Sequence, residues 1–173
     1  AKHFGVAQSE VTGCHTYGGH GESMAPFASS VMIQGTPLTS LIGTDKLTAE
    51  QWEEIKQKTI QGGSNIIKLR GRSSFQSPAY VSVRMIEAAM GGAEFQWPAG
   101  RYVSFAGIDH IMMAMEVTIT EKGSAYEEVV GNEEEMAALQ KSYEHVAAMR
   151  DECISLGIIP AISEWSTLNP NLK

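Results

Sequence analysis

Apolar residues recur at helical spacing in some segments and in short, glycine-bounded runs in others, and each pattern predicts an element. Helical spacing over Ala49–Leu69 predicts a long helix. Thr48 is a suitable N-cap for it, and Gln51 three residues later completes a capping box. Gly62-Gly63 interrupts the pattern and costs about 1 kcal/mol per glycine against alanine. The pair indicates a kink or a close backbone approach; the alternative is a helix that ends just before the pair and restarts just after it.

Two further helices are predicted from their start and stop signals. Ser77 before a proline is a strong helix start and Gly91-Gly92 is a stop, so a helix is expected over Pro78–Met90. The last helix starts at Asn132, and the acidic run Glu133–Glu135 suits the positive end of its dipole. An apolar stripe on this helix predicts a face packed on the core. The stripe comprises Met136, Leu139, Tyr143, Val146 and Cys153.

The remaining apolar segments predict strands separated by glycine-containing turns. The expected strands are Val11–Tyr17, Ala25–Ile33, Phe95–Phe105, Ile111–Thr120 and Ala125–Val130. The expected turns are Gly35-Thr36-Pro37-Leu38, Gly107, Asp109 and Lys122-Gly123-Ser124. Strands, then helices, then a block of strands and a closing helix favour an α+β fold over a regular βαβ alternation. A chain of 173 residues is expected to form one domain, residues 1–173.

Composition narrows the class of protein. Hydrophobic residues make up 43% of the chain and charged residues 19%, which is typical of a soluble globular domain without a membrane span. A net charge of -7 argues against a nucleic-acid partner. Cys14 and Cys153 have no metal-site or disulfide spacing, so reduced thiols and a cytoplasmic location are expected. The segment that begins at Ala1 has no secretory-signal pattern and no initiator methionine, so we expect the chain to begin inside a longer one.

Histidine is the side chain whose ordinary pKa, about 6.5, suits proton transfer near neutral pH. His145 is expected on the surface of the last helix, and the contexts of His3 and His110 assign them no role. His15 lies beside Cys14 but has no carboxylate or second cysteine at ligand spacing, so no metal site is predicted.

His20 differs because three glycines surround it: Gly18, Gly19 and Gly21. They allow a sharp turn and leave room for a substrate beside the ring. The wider segment reads Gly18-Gly19-His20-Gly21-Glu22-Ser23-Met24-Ala25-Pro26, followed by Gly35-Thr36-Pro37-Leu38. This segment resembles the signature of the lactate/malate dehydrogenase family, of the malate type, with Glu22 where the family pattern has aspartate.

The resemblance extends along nearly the whole chain. The matching segments are Gly5-Val6 with Val11-Thr12, Glu54-Ile55 through Gly62-Gly63-Ser64-Asn65-Ile66-Ile67, Ser73-Ser74 before Ser77-Pro78-Ala79, and Asn132-Glu133-Glu134-Glu135 with the following helix. It implies the carboxy-terminal, substrate-binding domain of that family: a mostly antiparallel, twisted sheet with long helices packed on it.

The function implied is that of an NAD-dependent malate dehydrogenase of the tricarboxylic acid cycle, which interconverts malate and oxaloacetate. The residue matching the family's catalytic histidine is His20, which would face both substrate and cofactor. Ser73 or Ser74 would contact the substrate just ahead of a helix N-terminus, with Ser73 preferred by counting back from Pro78. Gly19 favours malate, because lactate-type members carry glutamate before the histidine.

Other parts of such a site are expected outside these 173 residues. The chain contains no Gly-x-Gly-x-x-Gly run, so NAD would be bound mainly by a separate amino-terminal nucleotide-binding domain. The family's orienting aspartate and substrate-binding arginine would precede Ala1. The chain alone is therefore expected to be inactive, and a homodimer or homotetramer is implied. A lactate dehydrogenase domain, a non-catalytic oligomerisation or folding module, and an unrelated α+β binding domain are the alternatives.

Overall fold

Two β-sheets with helices packed on them form the fold, which a computed structural model describes for residues 1–105 and 107–172. The strands are β1 (Val11–Thr12), β2 (Thr16–Gly18), β3 (Met24–Pro26), β4 (Met32–Ile33), β5 (Thr36–Pro37), β6 (Phe95–Phe105), β7 (Ile108–Thr120) and β8 (Gly123–Glu127). The α-helices are α1 (Ala49–Ile60), α2 (Gly62–Arg70), α3 (Gln76–Ala89), α4 (Glu133–Ser155) and α5 (Ile162–Leu168). All named strand pairs are antiparallel. The predicted α+β class, with an antiparallel sheet and long helices, is confirmed.

The larger sheet is organised around β7. A long hairpin pairs β6 with one edge of β7, while β8 and β2 pair with the other edge. β2 joins β7 through a single residue pair, Gly18 with Ala114, and pairs with β3 on its other side. The smaller sheet has the order β1-β4-β5. The strand that leads to His20 is thus short and weakly connected to the rest of the sheet.

Three groups of buried side chains hold these elements together. The largest lies between the larger sheet and α4, and includes Tyr17, Phe27, Met115 and Leu139. A second packs the small sheet against α1 around Leu47, which is fully buried. A third packs α3 against the far part of β6 and β7. The apolar stripe predicted on α4 faces the core, because Met136, Leu139, Tyr143 and Val146 all pack in the first group.

The long helix predicted over Ala49–Leu69 is two helices. Thr48 caps α1 as expected, in a full capping box with Gln51. α1 ends at Ile60, and α2 begins immediately after one non-helical residue. The alternative of a break was therefore correct, although the helix restarts at the glycine pair instead of after it. No close approach explains the pair, since a Cβ on Gly62 or Gly63 would meet nothing within 4 Å.

The start of α3 was predicted two residues too late. Its N-cap is Phe75, and Ser77 with Pro78 lies inside the first turn. Proline is tolerated there because the first N–H groups of a helix have no partner within the helix. The predicted stop is confirmed: Gly91 has φ +85, and the Gly92 N–H donates to the Glu87 carbonyl.

Two of the predicted strands are each split in the structure. Val11–Tyr17 is broken at Gly13, whose φ is +68 and whose Cβ position is occupied by the Ser30 carbonyl. Ala25–Ile33 is broken because the N–H groups of Ala28 and Ser29 donate to the Glu135 carboxylate. The halves belong to different sheets. Contacts distant in sequence override the local pattern at both places.

The hairpin strands are close to their predicted bounds. β6 matches Phe95–Phe105, whereas β7 starts three residues earlier than expected, at Ile108, so Asp109 lies within it. β8 covers Gly123–Glu127 instead of Ala125–Val130, with the turn one residue earlier. The predicted turn at Gly107 is confirmed, with φ +81. No helix in the described part of the chain combines the length and apolarity that crossing a membrane requires.

Candidate active site

The loop between β2 and β3 carries His20. The strand ends at Gly18, and His20 then occupies an extended conformation directly before a single 3-10 turn, Gly21–Ser23. The Ser23 hydroxyl donates to the His20 carbonyl at 3.2 Å. The imidazole is exposed and forms no hydrogen bond with another residue of the described ranges. It is therefore free to bond a molecule or surface outside this chain.

Glycine is required at the two positions before His20 by the packing around them as well as by the turn of the backbone. Gly18 has φ +87, and a Cβ there would lie 2.3 Å from the Ser142 hydroxyl oxygen. A Cβ on Gly19 would lie 2.3 Å from the Ser23 hydroxyl oxygen and 3.0 Å from Val146. Gly21 differs from these two, because a Cβ there would meet nothing within 4 Å. α4 and the 3-10 turn fill the space at the other two positions.

Three of the other four histidines differ from His20 in their surroundings. His15 Nδ1 lies 2.8 Å from Glu116 Oε2, and His110 Nδ1 lies 2.6 Å from the Tyr102 hydroxyl. His3 Nε2 lies 2.9 Å from the Lys46 carbonyl oxygen. His145 is exposed on α4, as predicted, on a helix whose opposite face packs on the core. Three of these four rings are already engaged within the domain, which distinguishes them from His20.

A polar cluster fastens β2 to β7 just before the loop. The Tyr17 hydroxyl donates to Glu116 Oε2 at 3.1 Å and lies 3.2 Å from His15 Nδ1. Burial, and then the nearby Glu116 carboxylate, raise the pKa of Tyr17 above its usual range. Tyr17 therefore stays neutral and remains a donor. This cluster supplements the single residue pair that joins the two strands.

A buried carboxylate at the start of α4 anchors the segment that follows β3. Glu135 is 7% exposed and accepts from the N–H groups of Ala28 at 2.6 Å, Ser29 at 3.0 Å and Asn132 at 2.9 Å, and from the Ser29 hydroxyl. Burial acts to raise the pKa of Glu135, but these hydrogen bonds outweigh it and hold the pKa below its ordinary value. The acidic run predicted to be a helix start therefore includes one structural anchor.

Ser73 and Ser74 lie in the segment that links α2 to α3. Ser73 is exposed and Ser74 half-buried, and neither side chain hydrogen-bonds within residues 1–105 and 107–172. α1, α2 and α4 all contact the 3-10 turn that follows His20. The fold thus brings the helix before the two serines to the His20 loop, but no hydrogen bond within the described residues joins either serine to His20.

A family model for the lactate/malate dehydrogenase α/β C-terminal domain matches residues 1–154. The chain belongs to this family. The match covers every element except α5, and it confirms the resemblance drawn from the His20 segment.

Solved structures of the family include both lactate and malate dehydrogenases. Cryptosporidium parvum lactate dehydrogenase, complexed with lactic acid and nicotinamide adenine dinucleotide, is 29% identical with a TM-score of 0.80 over 92% of this chain and 50% of that one. Malate dehydrogenase of the same organism is 28% identical, with a TM-score of 0.77 over 89% and 50%. Eimeria maxima lactate dehydrogenase, with NADH and oxamate, is 25% identical, with a TM-score of 0.81 over 91% and 50%. The chain spans about half the length of these relatives.

The described part of this lactate/malate dehydrogenase family member lacks the arrangement of strands that typically binds a dinucleotide. A dinucleotide binds where parallel strands lead into helix N-termini. Every named strand pair in the described ranges is antiparallel, so this part of the chain forms no such cradle. The imidazole of His20 is exposed on the surface of this domain. No three histidine, cysteine, aspartate or glutamate side chains of the described residues converge as a metal site requires.

Five cavities in the described part of the domain are not lined by His20. The groove between α1, β3 and the start of α4 has a volume of about 310 Å³ and is lined by residues such as Trp52, Lys56 and Glu134. None of the predicted site residues lines it. His20 sits instead on an open surface, which is the arrangement expected when a second surface completes the site.

Three residues of the site were not predicted from sequence: Glu116, Glu135 and Ser142. The capping-box spacing of Asn132 and Glu135 was a readable signal for the helix start. Nothing in the sequence indicated that Glu135 is buried against Ala28 and Ser29. Ser142 lies three residues after Leu139 on the buried face of α4, so a polar residue interrupting that face was a signal for a buried hydrogen bond. Glu116 carried none, since its partners are about one hundred residues away in sequence.

Proposed function

We propose that this chain is the substrate-binding half of an NAD-dependent malate dehydrogenase, with His20 as its catalytic acid/base. The observation that carries the proposal is the state of His20: its imidazole is exposed and without a hydrogen bond within the described domain, on a backbone packed against α4. A proton-transfer group must reach its substrate while its backbone stays in place. The lactate/malate dehydrogenase family membership supplies the reaction class.

The chemistry of His20 is a single proton transfer in each direction. When a 2-keto acid is reduced, protonated His20 donates its proton to the keto oxygen. In the reverse direction, neutral His20 accepts the proton of the substrate hydroxyl. NAD supplies the hydride acceptor or, when reduced, the hydride donor. Ser73 or Ser74, ahead of the α3 N-terminus, would bind an anionic group of the substrate, and Ser73 is preferred because it is the more exposed.

Gly19 supports malate over lactate, the alternative substrate. Lactate-type members carry glutamate at this position, and here a Cβ would lie 2.3 Å from the Ser23 hydroxyl oxygen. The local packing is therefore built around a glycine. We expect oxaloacetate to be reduced with a higher kcat/KM than pyruvate; a preference for pyruvate would overturn the malate assignment.

The decisive experiment replaces His20 with asparagine in the dehydrogenase that contains this domain. Because proton transfer occurs in the transition state, kcat should fall roughly 10²- to 10⁴-fold while KM changes little. The matched comparison is His15→Asn, since the His15 ring is half-buried and paired with Glu116. Equal loss of kcat in the two variants would show that the wrong histidine had been assigned, and full activity of His20→Asn would overturn the proposed role.

We further propose that the nucleotide-binding half and the orienting aspartate and substrate-binding arginine come from residues outside these 173. The 173-residue chain by itself is then expected neither to bind NADH tightly nor to oxidise it. Tight NADH binding by this chain alone, measured by fluorescence titration, would contradict the division into two halves.

A homodimer or homotetramer is the assembly we propose. α2 and α3 display large apolar side chains to solvent, which single domains rarely leave uncovered over a wide patch. Their exposed fractions are 86% for Leu69, 62% for Val83 and 60% for Tyr80. We refer to the exposed apolar residues of α2 and α3 as the α2–α3 face: Ile66, Ile67, Leu69, Tyr80, Val83 and Ile86.

A further inference from the structure

The backbone directly before His20 is hydrogen-bonded to a buried side chain of α4. The Gly19 N–H donates to Ser142 Oγ at 2.8 Å, and Ser142 is 3% exposed. Gly19 is adjacent to His20 in sequence, and its N–H belongs to the Gly18–Gly19 peptide group, one peptide group before the bond that joins Gly19 to His20. The hydrogen bond to Ser142 is needed because β2 is joined to β7 by one residue pair only.

The packing around this hydrogen bond leaves little freedom. The Cβ position of Gly18 lies 2.3 Å from Ser142 Oγ and 2.9 Å from Ser142 Cβ, and Leu139 is 3.6 Å away. The Cβ position of Gly19 lies 3.0 Å from Val146. Both glycines are therefore in van der Waals contact with one face of α4, and Ser142 stands at the centre of that contact. A side chain at either glycine would push the loop away from the helix.

We propose that Ser142 is the positioning residue for His20: its hydroxyl oxygen fixes the Gly19 peptide against α4 and thereby sets where the imidazole stands. The proposal rests on the proposed role of His20 as acid/base. Ser142 touches neither substrate nor cofactor; it acts through the backbone.

The expected consequence follows from the geometry of proton transfer. The imidazole must lie about 2.6–3.2 Å from the substrate oxygen, and a misplacement of about 1 Å can lower the rate on the order of 10²-fold. Removing the Ser142 oxygen leaves the Gly19 N–H without its acceptor and the loop without its fixed point. The Tyr17–Glu116 contact acts earlier, on β2 itself, and does not replace a bond at Gly19.

Two readouts test this inference. In the dehydrogenase that contains the domain, Ser142→Ala should lower kcat by roughly 10- to 100-fold, with KM changed less than about threefold. In the 173-residue chain, the Gly19 amide should exchange its hydrogen faster in Ser142→Ala than in the unmodified chain, measured by nuclear magnetic resonance. Ser142→Cys keeps a weaker acceptor of similar size. Its kcat and its Gly19 exchange rate should therefore lie between those of the unmodified protein and those of Ser142→Ala. This second variant also preserves the test if Ser142→Ala folds poorly.

The matched control is Ala148→Gly, an exposed change on the same helix that weakens α4 without touching the loop. A kcat loss in Ser142→Ala no larger than that of Ala148→Gly would overturn the inference, as would unchanged exchange at Gly19. These results are separable from failure of the proposed function. Loss of activity in His20→Asn together with full activity in Ser142→Ala refutes only the positioning role. Full activity in His20→Asn refutes the proposed function, while exchange at Gly19 still reports whether Ser142 holds the loop.

Discussion

The two segments proposed to meet the substrate are built in opposite ways. The His20 loop is held by Ser142, which accepts from the Gly19 N–H, and the chain on either side of it is held by Glu116 at Tyr17 and by Glu135 at Ala28 and Ser29. The Ser73-Ser74 segment follows α2, in which every residue after Gly62 is exposed, and its serines form no side-chain hydrogen bonds with described residues. One half of the candidate site is thus preorganised by this chain, and the other half is not.

This difference indicates where the missing part of the site would come from. A segment that is rigid before ligand binds can hold a proton-transfer group at a fixed distance. A segment with an exposed apolar face acquires its order from whatever covers that face. We therefore expect substitutions near His20 to change the stability of the 173-residue chain, and substitutions on α2 and α3 to change assembly and leave that stability nearly unaltered.

The largest effect on stability is expected at Glu135. Replacing it with alanine leaves three buried or partly buried N–H groups without their acceptor, which should lower the free energy of unfolding by about 3 kcal/mol. Urea unfolding of the 173-residue chain at pH 7 measures this. Glu133→Gln is the control, because Glu133 is exposed in the same helical turn and should change stability by less than about 0.5 kcal/mol.

The same carboxylate predicts a dependence of stability on pH. The pKa of Glu135 is lower in the folded chain than its ordinary value of 4.5, so the ionised form stabilises the fold. This contribution is complete above pH 4.5 and is lost as the pH falls through the lowered folded-state pKa. Glu135→Gln should therefore flatten the acid side of the stability profile. An unchanged acid transition in that variant would show that Glu135 is not the anchor.

A smaller effect, on assembly alone, is expected from the α2–α3 face. Val83 and Ile86 are 62% and 58% exposed, so Val83→Glu with Ile86→Glu should change the unfolding free energy of the 173-residue chain by less than about 0.5 kcal/mol each. In the oligomer, charges at a buried apolar contact should weaken association by about 2 kcal/mol each. Sedimentation velocity of the containing dehydrogenase measures this. An unaltered oligomer would show that subunits do not meet at this face.

How far the sequence predicted the molecule depended on the range of the interactions involved. The caps at Thr48 and Asn132 and the stop at Gly91 depend on neighbouring residues, and all three are confirmed. The strand predicted over Ala25–Ile33 was wrong because Glu135, more than one hundred residues away, takes its backbone donors. The role proposed for His20 comes from a local motif, whereas the hydrogen bond between Gly19 and Ser142 could be found only from the fold.

The smallest effect on stability is predicted for Gly63→Ala. It should be stabilising, whereas the matching substitution near His20, Gly18→Ala, should be destabilising. In α2 a Cβ on Gly63 meets nothing within 4 Å, and its φ is not positive, so Gly63→Ala should stabilise the 173-residue chain by about 0.5–1 kcal/mol. Gly18→Ala, the counterpart, places a Cβ against Ser142 at φ +87 and should destabilise it by at least about 1 kcal/mol. Thermal unfolding of both variants decides the comparison. Destabilisation by Gly63→Ala would mean that α2 packs more tightly than its exposure indicates, and that the two segments are not built differently after all.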